Sequence, residues 1–222
     1  MPTPLKIDPS STALLVIDMQ NAFVMPGGSM ARVGLSTARG HAIVEPVHRL
    51  VDACRKHGLP VIHTYTVFRS DYADAGLVAR RFPALQPLGH IMSGTWDAQI
   101  VERLLPRAGE YLIPKSRFNA FYGTNLEIAL RSLGVTSLIA AGVATNVCVE
   151  STVREAFIRD IRVILPRDAT ASYTSEMEAA SLATLGFMFA DLTTVDDLLS
   201  AIEHSPKLPV AEHEQELELV GA

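Results

Sequence analysis

The sequence predicts an α/β fold: one domain built as a three-layer αβα sandwich around a six-stranded, mainly parallel sheet. Three observations predict it. Short branched apolar runs alternate with stretches of helical periodicity along most of the 222 residues, the pattern of strand–helix–strand units. The apolar runs are continuous rather than alternating, as strands covered on both faces require. The length suits one large domain, and a balance of 48% hydrophobic to 19% charged residues is that of a globular chain, not a disordered one.

Each element follows in order. Thr12–Ile17 is an apolar run with a branched centre and reads as the first strand. Ile43, Val44, Val47, Leu50, Val51 and Cys54 recur at helical spacing, with Pro46 tolerated in the first turn and Gly58 as the stop. Val61–Val67 is the second strand. Phe68 to Thr95 has little periodicity and is long for a loop, which makes it a candidate lid or binding loop. Trp96–Leu105 reads as a helix and Glu110–Pro114 as the third strand. Thr124-x-x-Glu127 resembles a capping box that opens a helix carrying Leu126, Ala129, Leu130 and Leu133, closed by Gly134. Ser137–Val143 is the fourth strand. Val147–Arg159 follows as a helix with Val149, Val153, Ala156 and Phe157 inward, and Arg162–Leu165 is the fifth strand. Ser175-x-x-Glu178 caps a helix ending near Gly186. Phe187–Leu192 is the sixth strand and Val195–Ile202 the last helix. Residues 1–204 form the domain, and 205–222 read as a polar acidic tail.

Net charge is −5, which argues against a nucleic-acid footprint. The stretch from Glu203 to Ala222 holds five glutamates against Lys207, so nearly all of that charge sits at the end of the chain. The two cysteines, Cys54 and Cys148, exclude a disulfide framework and a thiolate-only metal cage. The longest early apolar run stops at Asp18, too short to span a membrane. The chain reads as cytoplasmic, where a free thiol survives.

In parallel sheets, ligands sit at the carboxyl ends of the strands. That rule selects Asp18 after strand one, Lys115 after strand three, Cys148 after strand four and Asp168 after strand five. Cys148 falls in the first turn of a helix, where unpaired N–H groups and the helix dipole favour an anion and would lower a thiol pKa. A small core cysteine is the alternative for this position. Asp18 reads as a base or as a turn cap, and Lys115 as a site cation or a solvated strand-end charge. Together they offer a nucleophile, a base and a cation in one crevice. Asp168 reads as a cap. Cys54, on the apolar helix face, reads as core.

Val16-Ile-Asp-Met-Gln-Asn-Ala-Phe23, Lys115 and Gly142-Val-Ala-Thr-Asn-Val-Cys148 resemble the isochorismatase-like cysteine hydrolases, from about Thr12 to Ile202. Gly94-Thr-Trp-Asp97 and Gly142–Phe157 look closest to the ureidoacrylate and biuret-type ureide amidohydrolases. The resemblance implies a Rossmann-like fold and a Cys148–Asp18–Lys115 triad. It implies a cis peptide at Val143-Ala144, with the Ala144 and Cys148 N–H groups as the oxyanion hole. It also implies C–N hydrolysis of a small amide or ureide through a thioester, in a homo-oligomer (dimer or tetramer) without a cofactor. Phe23, Phe68, Phe118 and Tyr122 match segments that border the crevice in the family, as packing or pocket residues. Arg69 reads as a carboxylate clamp or a loop charge, and Asn119 as a ureide ligand or a turn residue.

The sequence departs from the nicotinamidases of that family. His63-Thr-Tyr-Thr-Val-Phe-Arg69 lacks their metal-binding D-x-H motif, so no metal is expected and His63 reads as a buried strand histidine. Cys148 itself favours an amidohydrolase over the vinyl-ether-cleaving isochorismatases, some of which lack the thiol. A non-catalytic binding module is the third reading.

Overall fold

The computed structural model describes residues 5–207. Its strands are β1 (Thr12–Ile17), β2 (Val61–Thr66), β3 (Tyr111–Lys115), β4 (Ser137–Val143), β5 (Arg162–Pro166), β6 (Thr170–Ala171) and β7 (Asp191–Thr193). They lie in the order β3-β2-β1-β4-β5-β7, with β6 paired to β4, and every pairing is parallel. The sheet has seven strands among the described residues rather than six. The extra one, β6, is two residues long and too short to carry a periodic signal.

β1 is buried along its whole length, and its residues alternate between two cores as strand geometry requires. Leu14 and Val16 pack with Val47, Leu50, Val51 and Cys54 of helix Val44–His57 and with Val195, Leu198 and Ile202 of helix Val195–Glu203. Ala13, Leu15 and Ile17 face the opposite layer, where Leu126, Leu130, Val149, Val153 and Leu185 pack. Each fully buried Leu, Ile or Val contributes about 1.5–3 kcal/mol. Helix Val44–His57 ends where Gly58 turns left-handed at φ 76°, a conformation that costs glycine little.

Chain order reverses across β1 and β4, so the crevice of this sheet opens between their carboxyl ends. Gly142 makes the close approach possible. It pairs with Ile17 at φ 128°, and a Cβ there would stand 2.0 Å from the Ile17 carbonyl oxygen. Only glycine fits both the dihedral and the space.

Several elements differ from the sequence expectation. Trp96–Leu105 is not one helix but two short 3₁₀ turns, Trp96–Ala98 and Glu102–Leu104. The Gln20 side-chain amide donates to the Ala98 carbonyl at 2.8 Å, the Asn21 amide to that of Trp96 at 2.9 Å, and the Asn21 N–H to that of Gln99 at 2.9 Å. These tertiary bonds take the carbonyls that a helix would use. Helix Ser175–Met188 runs through Gly186, and the last strand is Asp191–Thr193. A Cβ on Gly186 would lie 2.6 Å from Leu192 Cδ1, so this glycine lets helix and strand touch instead of stopping the helix. The cap of that helix is Thr174, whose Oγ1 accepts from Met177 N, while Glu178 accepts from Ser172 N. Helix Leu126–Ser132 begins after Asn125; Thr124 Oγ1 accepts from Leu126 N, and Glu127 pairs with Arg131 and Arg159 instead of closing a box. Phe157 is half-exposed rather than inward, its ring edge-on to Phe189.

The segment between β2 and Thr95 holds a short helix, Leu77–Arg81, and a 3₁₀ stretch, Pro83–Leu88. Asp168 accepts from Val195 N at 2.8 Å and so caps the last helix. No helix among the described residues is long and apolar enough to cross a membrane. The expected acidic tail lies outside the described residues from position 208 onward.

Candidate active site

Asp18 is the first residue past β1. Its backbone is left-handed at φ 52°, which asparagine and aspartate tolerate better than other non-glycine residues. Its carboxylate is fully buried. Oδ1 accepts from Thr64 Oγ1 at 3.1 Å; Oδ2 accepts from Thr66 Oγ1 at 3.0 Å and from Lys115 Nζ at 2.6 Å. Lys115 closes β3, two strands away. Its ammonium also donates to Thr66 Oγ1 at 2.6 Å and to the Arg117 carbonyl at 3.1 Å, and it stands 3.6 Å from Cys148 Sγ. The three side chains singled out in the sequence therefore meet at the switch point between β1 and β4.

Cys148 sits in a wide turn, Thr145–Val149, where Val149 N bonds the Ala144 carbonyl, before the α-helix Glu150–Ile158 begins. Val143–Ala144 is a cis peptide. The Ala144 N–H has no hydrogen-bond partner among the described residues.

The electrostatics reverse one expectation. Position at a helix start suggested a lowered thiol pKa. Instead burial pushes the Cys148 thiol up, Lys115 opposes this, and Asp18 adds to it. Burial alone would lower Lys115, but the charges of Asp18 and Cys148 hold its ammonium above the ordinary value. The Cys148 thiol thus lies, raised by burial, beside the Lys115–Asp18 ion pair.

A cavity of about 750 Å³ opens onto Cys148 and Ala144. Phe23, Phe68 and Phe118 are on its walls. Arg69 is not among them: its exposed guanidinium pairs with Asp71 at 2.9 Å. Asn119 serves its turn, accepting from Phe121 N at 2.8 Å, and Tyr122 is exposed outside the cavity.

Residues to which the sequence reading gave no individual role also shape the site. Thr64 and Thr66 hold Asp18. Gln20 clamps the end of β2 by accepting from Thr66 N and donating to the Thr66 carbonyl, both at 2.8 Å. Asp97 pins the wall of the cavity: its carboxylate accepts from Ser29 Oγ at 2.6 Å, Ser29 N at 2.9 Å and Ile91 N at 3.0 Å, and His90 packs beside Ser29. Burial would raise the Asp97 pKa, but His90, its Nδ1 3.6 Å away, and the hydrogen bonds from Ser29 and Ile91 hold it at about 2. His63 is fully buried in β2, its Nε2 3.5 Å from Glu110. Among the described residues no three His, Cys, Asp or Glu side chains are grouped to hold a metal ion.

The two thiols are separable by reagent. Cys54 is completely enclosed, and burial pushes it up to about 12. Cys148 faces the cavity. Iodoacetamide is expected to label Cys148 alone in the folded protein, at a rate still climbing with pH through 9 as the raised thiol ionises. Peptide mass mapping checks this; a rate that is flat above neutral pH would mean a preformed thiolate.

A thiol, a carboxylate and an ammonium thus gather at the switch point of a doubly wound sheet. The chain belongs to the isochorismatase family, whose domain model matches residues 12–197. It is similar to a ureidoacrylate amidohydrolase RutB of Rhizobium rhizogenes, 32% identical over 92% of this chain and 88% of the relative. The RutB of Methylobacterium radiotolerans is 33% identical over 94% and 86%. Among solved structures, a cysteine hydrolase from Pseudomonas syringae pv. phaseolicola superposes with a TM-score of 0.81 at 28% identity, over 91% of this chain and 99% of that one. An N-carbamoylsarcosine amidase from Thermoplasma acidophilum gives 0.69 at 26% identity, over 84% and 97%. The protein is an isochorismatase-family hydrolase.

Proposed function

We propose that the protein is a cysteine-dependent amidohydrolase that cleaves a C–N bond of a small linear amide, a ureide or N-carbamoyl compound, through a thioester. The observation that carries this reading is the Lys115 ammonium, 2.6 Å from Asp18 and 3.6 Å from the Sγ of Cys148, which lines the cavity. The names of the curated relatives and of the carbamoyl amidase support the choice of bond.

The chemistry follows from the resting charges. Burial raises the Cys148 thiol, so its proton is passed to Asp18 as the sulfur attacks the carbonyl carbon, and Lys115 stabilises the anion that forms. The tetrahedral oxyanion is taken by the Ala144 and Cys148 N–H groups, each worth on the order of 3 kcal/mol. Asp18 then gives its proton to the leaving nitrogen, so ammonia or an amine departs neutral. Water deprotonated by Asp18 cleaves the thioester and restores the thiol. From a carbamoyl group the released acid is a carbamate, which decays to carbon dioxide and ammonia.

Ammonia release over a panel of ureides, with wild type and Cys148→Ala side by side, tests the reading. Turnover with loss in the variant and a covalent adduct on Cys148 by mass spectrometry are expected. Turnover that survives Cys148→Ala would overturn the mechanism, and cleavage of a vinyl ether without ammonia would favour the isochorismatase reaction itself.

The working form is proposed to be a cytoplasmic homo-oligomer. Val33, Leu35 and Phe82 are exposed at the cavity rim, where a second copy would cover them. Sedimentation equilibrium should give a dimer or tetramer; a monomer at micromolar concentration would remove this part.

A further inference from the structure

We propose that the compound hydrolysed here carries a bulky apolar substituent, alkyl or aryl, seated in the cavity beyond Cys148. The proposal rests on the reading of the site as a C–N hydrolase and adds the class of substrate to it.

Size is the first argument. A ureide of seven heavy atoms fills at most on the order of 200 Å³, allowing each atom the roughly 30 Å³ share of one water. The cavity holds about 750 Å³. A small polar substrate would therefore occupy only its inner end and leave most of it to water against apolar walls.

The walls are the second argument. The cavity is continuous from Cys148, Ala144 and Asn146 to Phe23, Phe68, Leu85, Ile91, Phe118 and Met177. Aromatic and aliphatic side chains make up most of its lining. No aspartate or glutamate lines it, and its full charges are Arg81 and Arg117. Arg117 donates to the carbonyls of Asp74 and Ser116 and has no carboxylate partner among the described residues. Such a cavity disfavours a cationic substituent.

Ile91 supplies an independent argument. It is β-branched yet left-handed at φ 43°, a region such residues rarely enter. Asp97 holds it there by accepting its N–H, and Phe68 N donates to its carbonyl at 2.9 Å. The Ser29–His90–Asp97 cluster thus keeps an aliphatic side chain on the cavity wall against its backbone preference.

The test is a series of N-alkylureas from methyl to hexyl, with benzyl, 2-phenylethyl and 6-aminohexyl members and biuret as the small reference. Attack of Cys148 on the urea carbonyl expels one nitrogen, and hydrolysis of the adduct releases the rest. The expected result is a rise in kcat/KM of about four-fold per methylene, with the aminohexyl compound gaining nothing over methyl. Phe118 is half-exposed, so Phe118→Ala keeps the fold, and it is expected to lower the hexyl-to-methyl ratio by about ten-fold. A flat or falling series, with biuret or methylurea turned over best, would overturn the inference and leave the amidohydrolase reading standing. Calorimetric affinities of Cys148→Ala for the same series read the cavity without turnover. Absence of any ureide hydrolysis therefore counts against the reaction, and absence of an affinity slope counts against the apolar substituent.

Discussion

Cys148→Ala is expected to lower kcat/KM for the best amide substrate by a factor on the order of 10⁴ or more, with the Tm within a few degrees of wild type. The two halves of that result have different causes. The ammonium of Lys115 keeps Asp18, Thr66 and the Arg117 carbonyl when the sulfur is gone, so no buried charge is orphaned. Cys148 also borders the cavity, so losing one atom there opens no closed void. Activity falls because nothing else at the switch point can form the covalent bond. Cys148→Ser should restore the shape and almost none of the rate, since Asp18 must then deprotonate a far weaker acid. Thermal melts and ammonia release on the three proteins check both halves. An alanine variant that keeps a tenth of the wild-type rate would transfer the nucleophile's role to water.

The convergence of Asp18, Lys115 and Cys148 was legible because each stands at or shortly past the carboxyl end of a strand, and the strand-end rule does the selecting. The fold class was legible because alternation of period survives in the local sequence. What brings Asp18 and Cys148 together is less local: β1 and β4 are neighbours in the sheet, and Ile17 pairs with Gly142, 125 positions further along the chain. Sheet order is set by which faces bury against which helices, and no local window records it. The sign of the thiol's shift was missed for the same reason. A helix start is visible in sequence, but the burial that outweighs it is tertiary. Thr64 and Thr66 read as ordinary strand residues until β2 lies beside Asp18. Trp96–Leu105 has helical spacing, yet Gln20 and Asn21 take its carbonyls from a distance of more than seventy residues. Arg69 is the opposite case, because its partner Asp71 is two residues away and was there to be read.

Lys115→Met is expected to abolish turnover and to cost about 3–5 kcal/mol of stability, the usual penalty for orphaning a buried charge. Both side chains of the Lys115–Asp18 pair are fully buried, with 2.6 Å between Nζ and Oδ2. Without the ammonium, the Asp18 carboxylate keeps only two threonine hydroxyls. Adding Asp18→Asn removes the orphaned charge, and the amide can still accept from one threonine hydroxyl through its oxygen and donate to the other through its NH2. The double variant should therefore recover most of the lost stability and none of the activity. The pH dependence has a definite sign. Lys115 is held above its ordinary value of 10.5, so its contribution is complete below about that pH and falls as the pH rises through the higher folded value. The stability gap between wild type and Lys115→Met should hold across the neutral range and narrow only in strong alkali. Urea denaturation of the four proteins of this cycle gives the coupling directly. Equal losses that simply add would mean that the ion pair is not a unit. Turnover in the double variant would mean that thiol activation needs neither the carboxylate nor the ammonium, contrary to the proposed transfer of the Cys148 proton to Asp18.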